Sequence, residues 1–190
     1  MKIKFKELVD MLKREDKKHS ITKDGNILAT QNFSILEDMI CKKCSSKQIY
    51  ELAELNLKST NVKKLGQAII DRKDVEYNFY FARDIEGADR KAHGQVIIDS
   101  QDAKYNYLFA GYITGADVKA HGQAIIDSKD PKYNYLYARD IKGADRKAHG
   151  QAIIDSKNAE YNFYFARDIE GADIKAHSQI VFNVDDLEIE

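Results

Sequence analysis

Ser128-Lys-Asp-Pro-Lys-Tyr-Asn-Tyr-Leu-Tyr-Ala-Arg-Asp-Ile-Lys-Gly143 carries both the start and the stop of one helix. Asp130 is an N-cap residue and Pro131 follows at the first helical position, where its missing N–H costs nothing. Gly143 stands where a left-handed residue ends the helix, a conformation that glycine adopts without a Cβ penalty. Two residues on, Asp145 caps a second helix that runs through Arg146-Lys-Ala-His-Gly-Gln-Ala-Ile-Ile to about Asp155. The stretch reads as helix, tight turn, helix.

Working outward, the same block recurs. Gly66, Gly94, Gly122 and Gly150 open four copies spaced 28 residues apart, and Ser178 begins a fifth that stops short. Between Gly66–His93 and Gly150–His177, 24 of 28 positions are identical. Gly87, Gly115 and Gly171 repeat the stop signal, and Asp89, Asp117 and Asp173 repeat the second cap. Two helices of this length cannot bury their apolar faces alone, so neighbouring copies must stack. The expected fold is therefore all-α, an α-solenoid of two-helix repeats with a small divergent N-terminal capping subdomain.

The expected units are 46–65 (divergent, with Asn61 in the cap slot and one extra residue near Asn56), 66–93, 94–121, 122–149 and 150–177. A final cap helix completes the array at 182, and 183–190 form an acidic tail. Residues 1–45 form the capping subdomain. There Phe5, Leu8, Val9 and Leu12 have helical spacing, as does Phe33–Ile40, while Asp24-Gly25 between Ile21 and Ile27-Leu28 reads as a tight turn that admits a small hairpin.

Composition agrees with long helices packed through aromatics: one proline, no tryptophan, eleven tyrosines and eight phenylalanines in 190 residues. No stretch approaches the roughly 18 apolar residues of a membrane span, and the N-terminus lacks a signal-peptide core. A cytoplasmic, membrane-free chain is expected. Charge is uneven: residues 1–64 carry 14 Lys and Arg against 9 Asp and Glu, leaving 16 against 22 for the remainder. The acidic array lacks the electrostatic footprint of a phosphate-backbone reader, whereas the basic first third has it in modest form.

The copies resemble short two-helix tandem repeats of the type Tyr-Asn-Tyr-Leu-Phe-Ala-Arg-Asp-Ile-Lys-Gly-Ala-Asp, found in bacterial and bacteriophage proteins. The resemblance covers roughly residues 46–182. It implies a right-handed solenoid, a cytoplasmic or mobile-element origin, and no catalytic residues to transfer.

Four side-chain patterns are candidates for function. Tyr107 lies on a different face from Tyr105, Leu108, Phe109 and Ile113. Its equivalents Phe79, Tyr135 and Phe163 precede Arg83, Arg139 and Arg167 by four residues, the spacing of a cation–π pair on one helix face. This aromatic–Arg stripe either packs on the next unit or offers a binding surface. The second copy breaks it with Gly111-Tyr112 in place of Arg-Asp, and a glycine inside a helix costs about 1 kcal/mol relative to alanine. Lys91, Lys119, Lys147 and Lys175, each with a glutamine one turn on, form a polar ridge on the second helices.

The fourth pattern is His93, His121, His149 and His177, in the middle of the second helix's apolar arc. Equivalent stacked helices stand about 8–10 Å apart, too far for histidines to share one zinc ion. Core positions are expected. Cys41-Lys-Lys-Cys44 has no second ligand pair and predicts neither metal nor redox chemistry. Carboxylates such as Asp84, Asp140 and Asp168 recur with every repeat and define no single active site.

The sequence thus points to a non-enzymatic protein–protein interaction scaffold without cofactor or metal. Another protein is the expected partner, and the resemblance to phage repeats implies inhibition of a host factor such as a defence enzyme. The alternative is a nucleic-acid-binding helical repeat using the lysine ridge. The open ends of such a stack also leave a homodimer as an expectation.

Overall fold

The computed structural model describes residues 4–18 and 23–182, the side chains of 23–31 excepted. Among them are twelve helices and no strand: α1 (Phe5–Lys18), α2 (Lys23–Lys43), α3 (Ser46–Glu54), α4 (Val62–Ile70), α5 (Val75–Asp84), α6 (Arg90–Ser100), α7 (Ala103–Tyr112), α8 (Val118–Ser128), α9 (Pro131–Asp140), α10 (Arg146–Ser156), α11 (Ala159–Asp168) and α12 (Ile174–Phe182). The all-α repeat fold is as expected. His19, Ile21 and the acidic tail 183–190 lie outside the described residues.

The local signals act as the sequence indicates. Asp74, Asp102, Asp130 and Asn158 accept from the N–H of the third residue of α5, α7, α9 and α11, and Pro131 opens α9. Asp89, Asp117, Asp145 and Asp173 do the same for α6, α8, α10 and α12, each at 3.0 Å. Gly143 is left-handed, with φ +89°, but it does not directly follow the helix. Ile141 caps α9, and Ala144 N–H donates to Ile141 C=O at 3.1 Å, so Gly143 fills the third position of a four-residue turn that requires positive φ. No atom lies within 4 Å of where its Cβ would be, so backbone conformation rather than space selects the glycine.

One expectation is corrected. Asp24-Gly25 forms no tight turn and no hairpin: both residues lie inside α2, which runs unbroken to Lys43 and packs along α1. A helical glycine costs about 1 kcal/mol, which the burial of Phe33, Leu36 and Ile40 on the same helix outweighs.

The helices form two compact units, Met1–Val96 and Ile97–Glu190. In the first, α1 and α2 share a core with the opening repeats, joining Leu8, Leu12, Phe33, Leu36 and Ile40 to Ile49, Leu52, Leu65, Ile69 and Phe81. In the second, α7–α8, α9–α10 and α11–α12 are helical hairpins whose first helices pack side by side, as do their second helices. Tyr137 and Ile125 lie at one joint of this stack, Phe165 and Ile153 at the next.

Candidate interaction surface

The interior of each repeat is pinned by a residue pair that sequence reasoning half missed. His93, His121, His149 and His177 are all buried, and each ring Nδ1 lies 2.7 Å from the Oδ1 of an asparagine 15 residues earlier: Asn78, Asn106, Asn134 and Asn162. Asn134 Nδ2 donates to Asp130 C=O at 2.8 Å beside its own hairpin and to Ile125 C=O at 3.2 Å on the preceding hairpin. With both amide hydrogens committed to carbonyls, Oδ1 is the acceptor and His149 Nδ1 carries the proton. Asn106 and Asn162 repeat this geometry with Ile97 and Ile153. Each asparagine therefore spans a joint. The available signal was an asparagine present in every copy on the inward half of the first helix, where an unpaired amide would be costly.

The pins commit Nδ1 of every one of these histidines. Nε2 of His93 is buried without a hydrogen-bond partner. Burial away from water disfavours the imidazolium, holding His93, His121 and His149 at about 4 and lowering His177 as well. Each ring also lies against an aromatic: His121 on Phe109 and His177 on Phe165, with centroids 4.7 and 4.8 Å apart.

At the rim of the joints the aromatic–Arg stripe forms a second network. Arg83, Arg139 and Arg167 lie over Phe79, Tyr135 and Phe163 at 5.1, 5.1 and 5.5 Å, the pairing expected from the spacing. Each arginine also chelates its neighbouring aspartate, Asp84, Asp140 or Asp168, through two nitrogens. In the second unit the hydroxyls complete a chain. Tyr107 donates to Asp140 at 2.8 Å, Arg139 reaches the Tyr135 oxygen at 3.1 Å, and Tyr135 donates to Asp168 at 2.6 Å. In the first unit Tyr50 donates to Asp84 at 2.9 Å. Its separation from Asp84 is 34 residues where Tyr107–Asp140 and Tyr135–Asp168 are 33 apart, the one-residue difference being the insertion near Asn56.

Burial and the carboxylate acceptor push Tyr107 up to about 12, and the Arg139 fork holds Asp140 below its ordinary range. Phe79 and Tyr135 are buried and Tyr107 half-buried. The Tyr107 and Tyr135 hydroxyls bond aspartates 33 residues on, so most of the stripe is fastening. Phe163, on the last first-position helix, is 48% exposed.

Gly111 and Tyr112 stand outside this network. Tyr112, at 68% exposure, is the most open large apolar side chain among the described residues. A Cβ on Gly111 would meet only Ile141 Cδ1, at an ordinary 3.4 Å, so nothing in its surroundings demands glycine. At this position the other copies carry the aspartate that accepts the rim hydroxyl, and Tyr112 offers no carboxylate.

Lys91, Lys119, Lys147 and Lys175 are all exposed on the second helices, whereas the stripe lies on the first helices. Between α8 and α10 lies a groove of about 650 Å³ bordered by Ile126, Asp127, Ala148, Gln151, Ala152 and Asp155. Gln123 and Gln151 donate to Asp127 and Asp155 at 2.8 Å, so α8 and α10 each carry a glutamine-bonded carboxylate as well as an exposed lysine.

Cys41 is half-buried and Cys44 buried, and burial pushes both thiols up, away from the reactive thiolate. What the segment contributes is its backbone: Arg72 Nη2 donates to Cys41 C=O at 2.5 Å and to Cys44 C=O at 3.1 Å, closing the end of α2. The later copies have Ser100, Ser128 and Ser156 in that slot, so Arg72 belongs to the junction between α2 and the array. Glu37, also buried, accepts from Asn61 N–H at 2.8 Å and ties α2 to α4.

No helix among the described residues is long and apolar enough to cross a membrane. Comparison with protein-family models, curated proteins and solved structures found no match to this chain.

Proposed function

We propose that this chain is a non-enzymatic protein-binding scaffold that grips its partner at the irregular second copy, with Tyr112 as the anchor and the second-helix ridge as the flank. The observation that carries the reading is the exposure of Tyr112 on a helix where the other copies use the same position to fasten repeats. An aromatic ring open to solvent, next to a glycine that leaves the backbone bare, is the chemistry of an interface anchor. Asp127 and Asp155, on the same helices as Lys119 and Lys147, favour a mixed-charge protein surface over a phosphate backbone. The resemblance to bacterial and phage repeats supports a cytoplasmic role in which the scaffold inhibits a host defence factor.

An affinity pulldown from the source cell's lysate tests this, comparing wild type with Tyr112→Asp, before and after nuclease. One protein retained by wild type in near-stoichiometric yield, surviving nuclease and lost from the variant, is the expected result. Recovery of nucleic acid by both forms, removed by nuclease, would replace the proposal with the nucleic-acid reading. Binding that weakens steeply with salt would mark the same outcome.

A further inference from the structure

The second helices carry a glycine at the point where the next repeat arrives. A Cβ built on Gly66 would stand 3.1 Å from Phe81 Cε1 and 3.1 Å from His93 Nε2. On Gly122 it would stand 3.1 Å from Tyr137 Cε1 and 3.3 Å from His149 Nε2, and on Gly150 it would come within 2.9 Å of Phe165 Cε1. None of the three has positive φ, so the requirement is space alone. The incoming aromatic ring and the pinned histidine both close onto bare backbone. A helical glycine is a standing cost of about 1 kcal/mol, and the sequence accepts it at every joint described.

Position 178 is the same slot one repeat further on, in α12, and it holds serine. Its surroundings otherwise have the apolar character of a joint: Phe163 and Phe182 are exposed, where their counterparts Tyr135 and Ile154 are covered to a greater degree by the following repeat. We infer that Ser178 terminates the stack. Its Cβ and hydroxyl occupy the space that an incoming aromatic ring needs, so the α11–α12 face is closed to a further repeat of this kind, and whatever covers Phe163 and Phe182 approaches without seating a ring on residue 178. This reading is independent of whether the chain binds a protein.

Two full-length chains with residues 150–177 duplicated after His177 test it, the added copy beginning with glycine in one and with serine in the other. The glycine joint is expected to raise the Tm by at least about 3 °C, since each kcal/mol is worth about 2–4 °C at this size, and to protect the added copy from protease. The serine joint should give no rise and leave the added copy cleavable. Equal gains from both, or none from either, would overturn the inference. In the natural chain, Gly150→Ser should lower the Tm by several degrees while Ser178→Gly shifts it by no more than about 2 °C; similar losses from the two would also sink it.

Discussion

Two polar networks hold the joints, one inside that recurs in every copy and one at the rim that the second copy interrupts, and burial sets their worth apart. The His–Asn pins are sealed from water, and each asparagine satisfies carbonyls on two repeats. The Tyr–Asp–Arg chain has better charge complementarity and more hydrogen bonds, but its arginines are exposed. In water-screened surroundings such pairs contribute little, whereas a buried donor left without a partner costs its full desolvation. The interior pin should therefore dominate stability although the rim is richer in contacts.

The strongest way to break this comparison is Asn134→Leu, which strips the partner from His149 Nδ1 and removes one of the donors to the Ile125 and Asp130 carbonyls. A loss of about 3 kcal/mol in urea unfolding is expected. A loss below about 1 kcal/mol would rank the pin no higher than the rim.

Acid separates the two networks by pH window. The buried histidines titrate lower in the folded state, near 4, than in the unfolded chain, near 6.5, so the unfolded state takes up protons first. Their contribution is whole above about pH 6.5 and is lost as pH falls through about 4, with up to about one proton taken up per histidine on unfolding. The rim aspartates are also depressed, Asp168 to about 2, so their contribution disappears only below about pH 4. Thermal unfolding followed from pH 7 to 3 should fall mainly in the upper window; a curve flat to pH 4 would deny the pins their buried, neutral state.

Tyr135→Phe removes one rim hydroxyl from Asp168 and Arg139 and should cost only about 0.5–1 kcal/mol by the same urea assay. Smaller still and opposite in sign, Gly111→Ala should stabilise by up to about 1 kcal/mol, because its Cβ meets only Ile141 Cδ1 at ordinary contact distance and the helix gains. If the alanine destabilises instead, the irregular copy holds a packing constraint that its surroundings do not reveal.

Much of the fold was legible because caps and turns are local. Asp130-Pro131 and Asn61 act through backbone groups a few residues away, and the 28-residue period gave the stacking. Asp24-Gly25 departs from its turn signal because a turn-forming pair is only a propensity, and packing of α2 against α1 overrides it. The asparagine pins were not found because their meaning lies in a contact 15 residues distant and in a carbonyl on the preceding repeat. A helical wheel drawn on one helix cannot show either. The cation–π spacing of the stripe was readable, whereas its role as fastening required the Tyr–Asp partners 33 residues on.

The placement of each asparagine has a genetic consequence. Asn134 reaches back to Ile125 and forward to His149, and Asn162 does the same with Ile153 and His177. Unequal exchange between copies this alike deletes or adds whole 28-residue blocks, and every such event rejoins an isoleucine carbonyl to an asparagine in the register it left. Copy number is thereby the property of this chain that recombination can change in one step without composing a new interior.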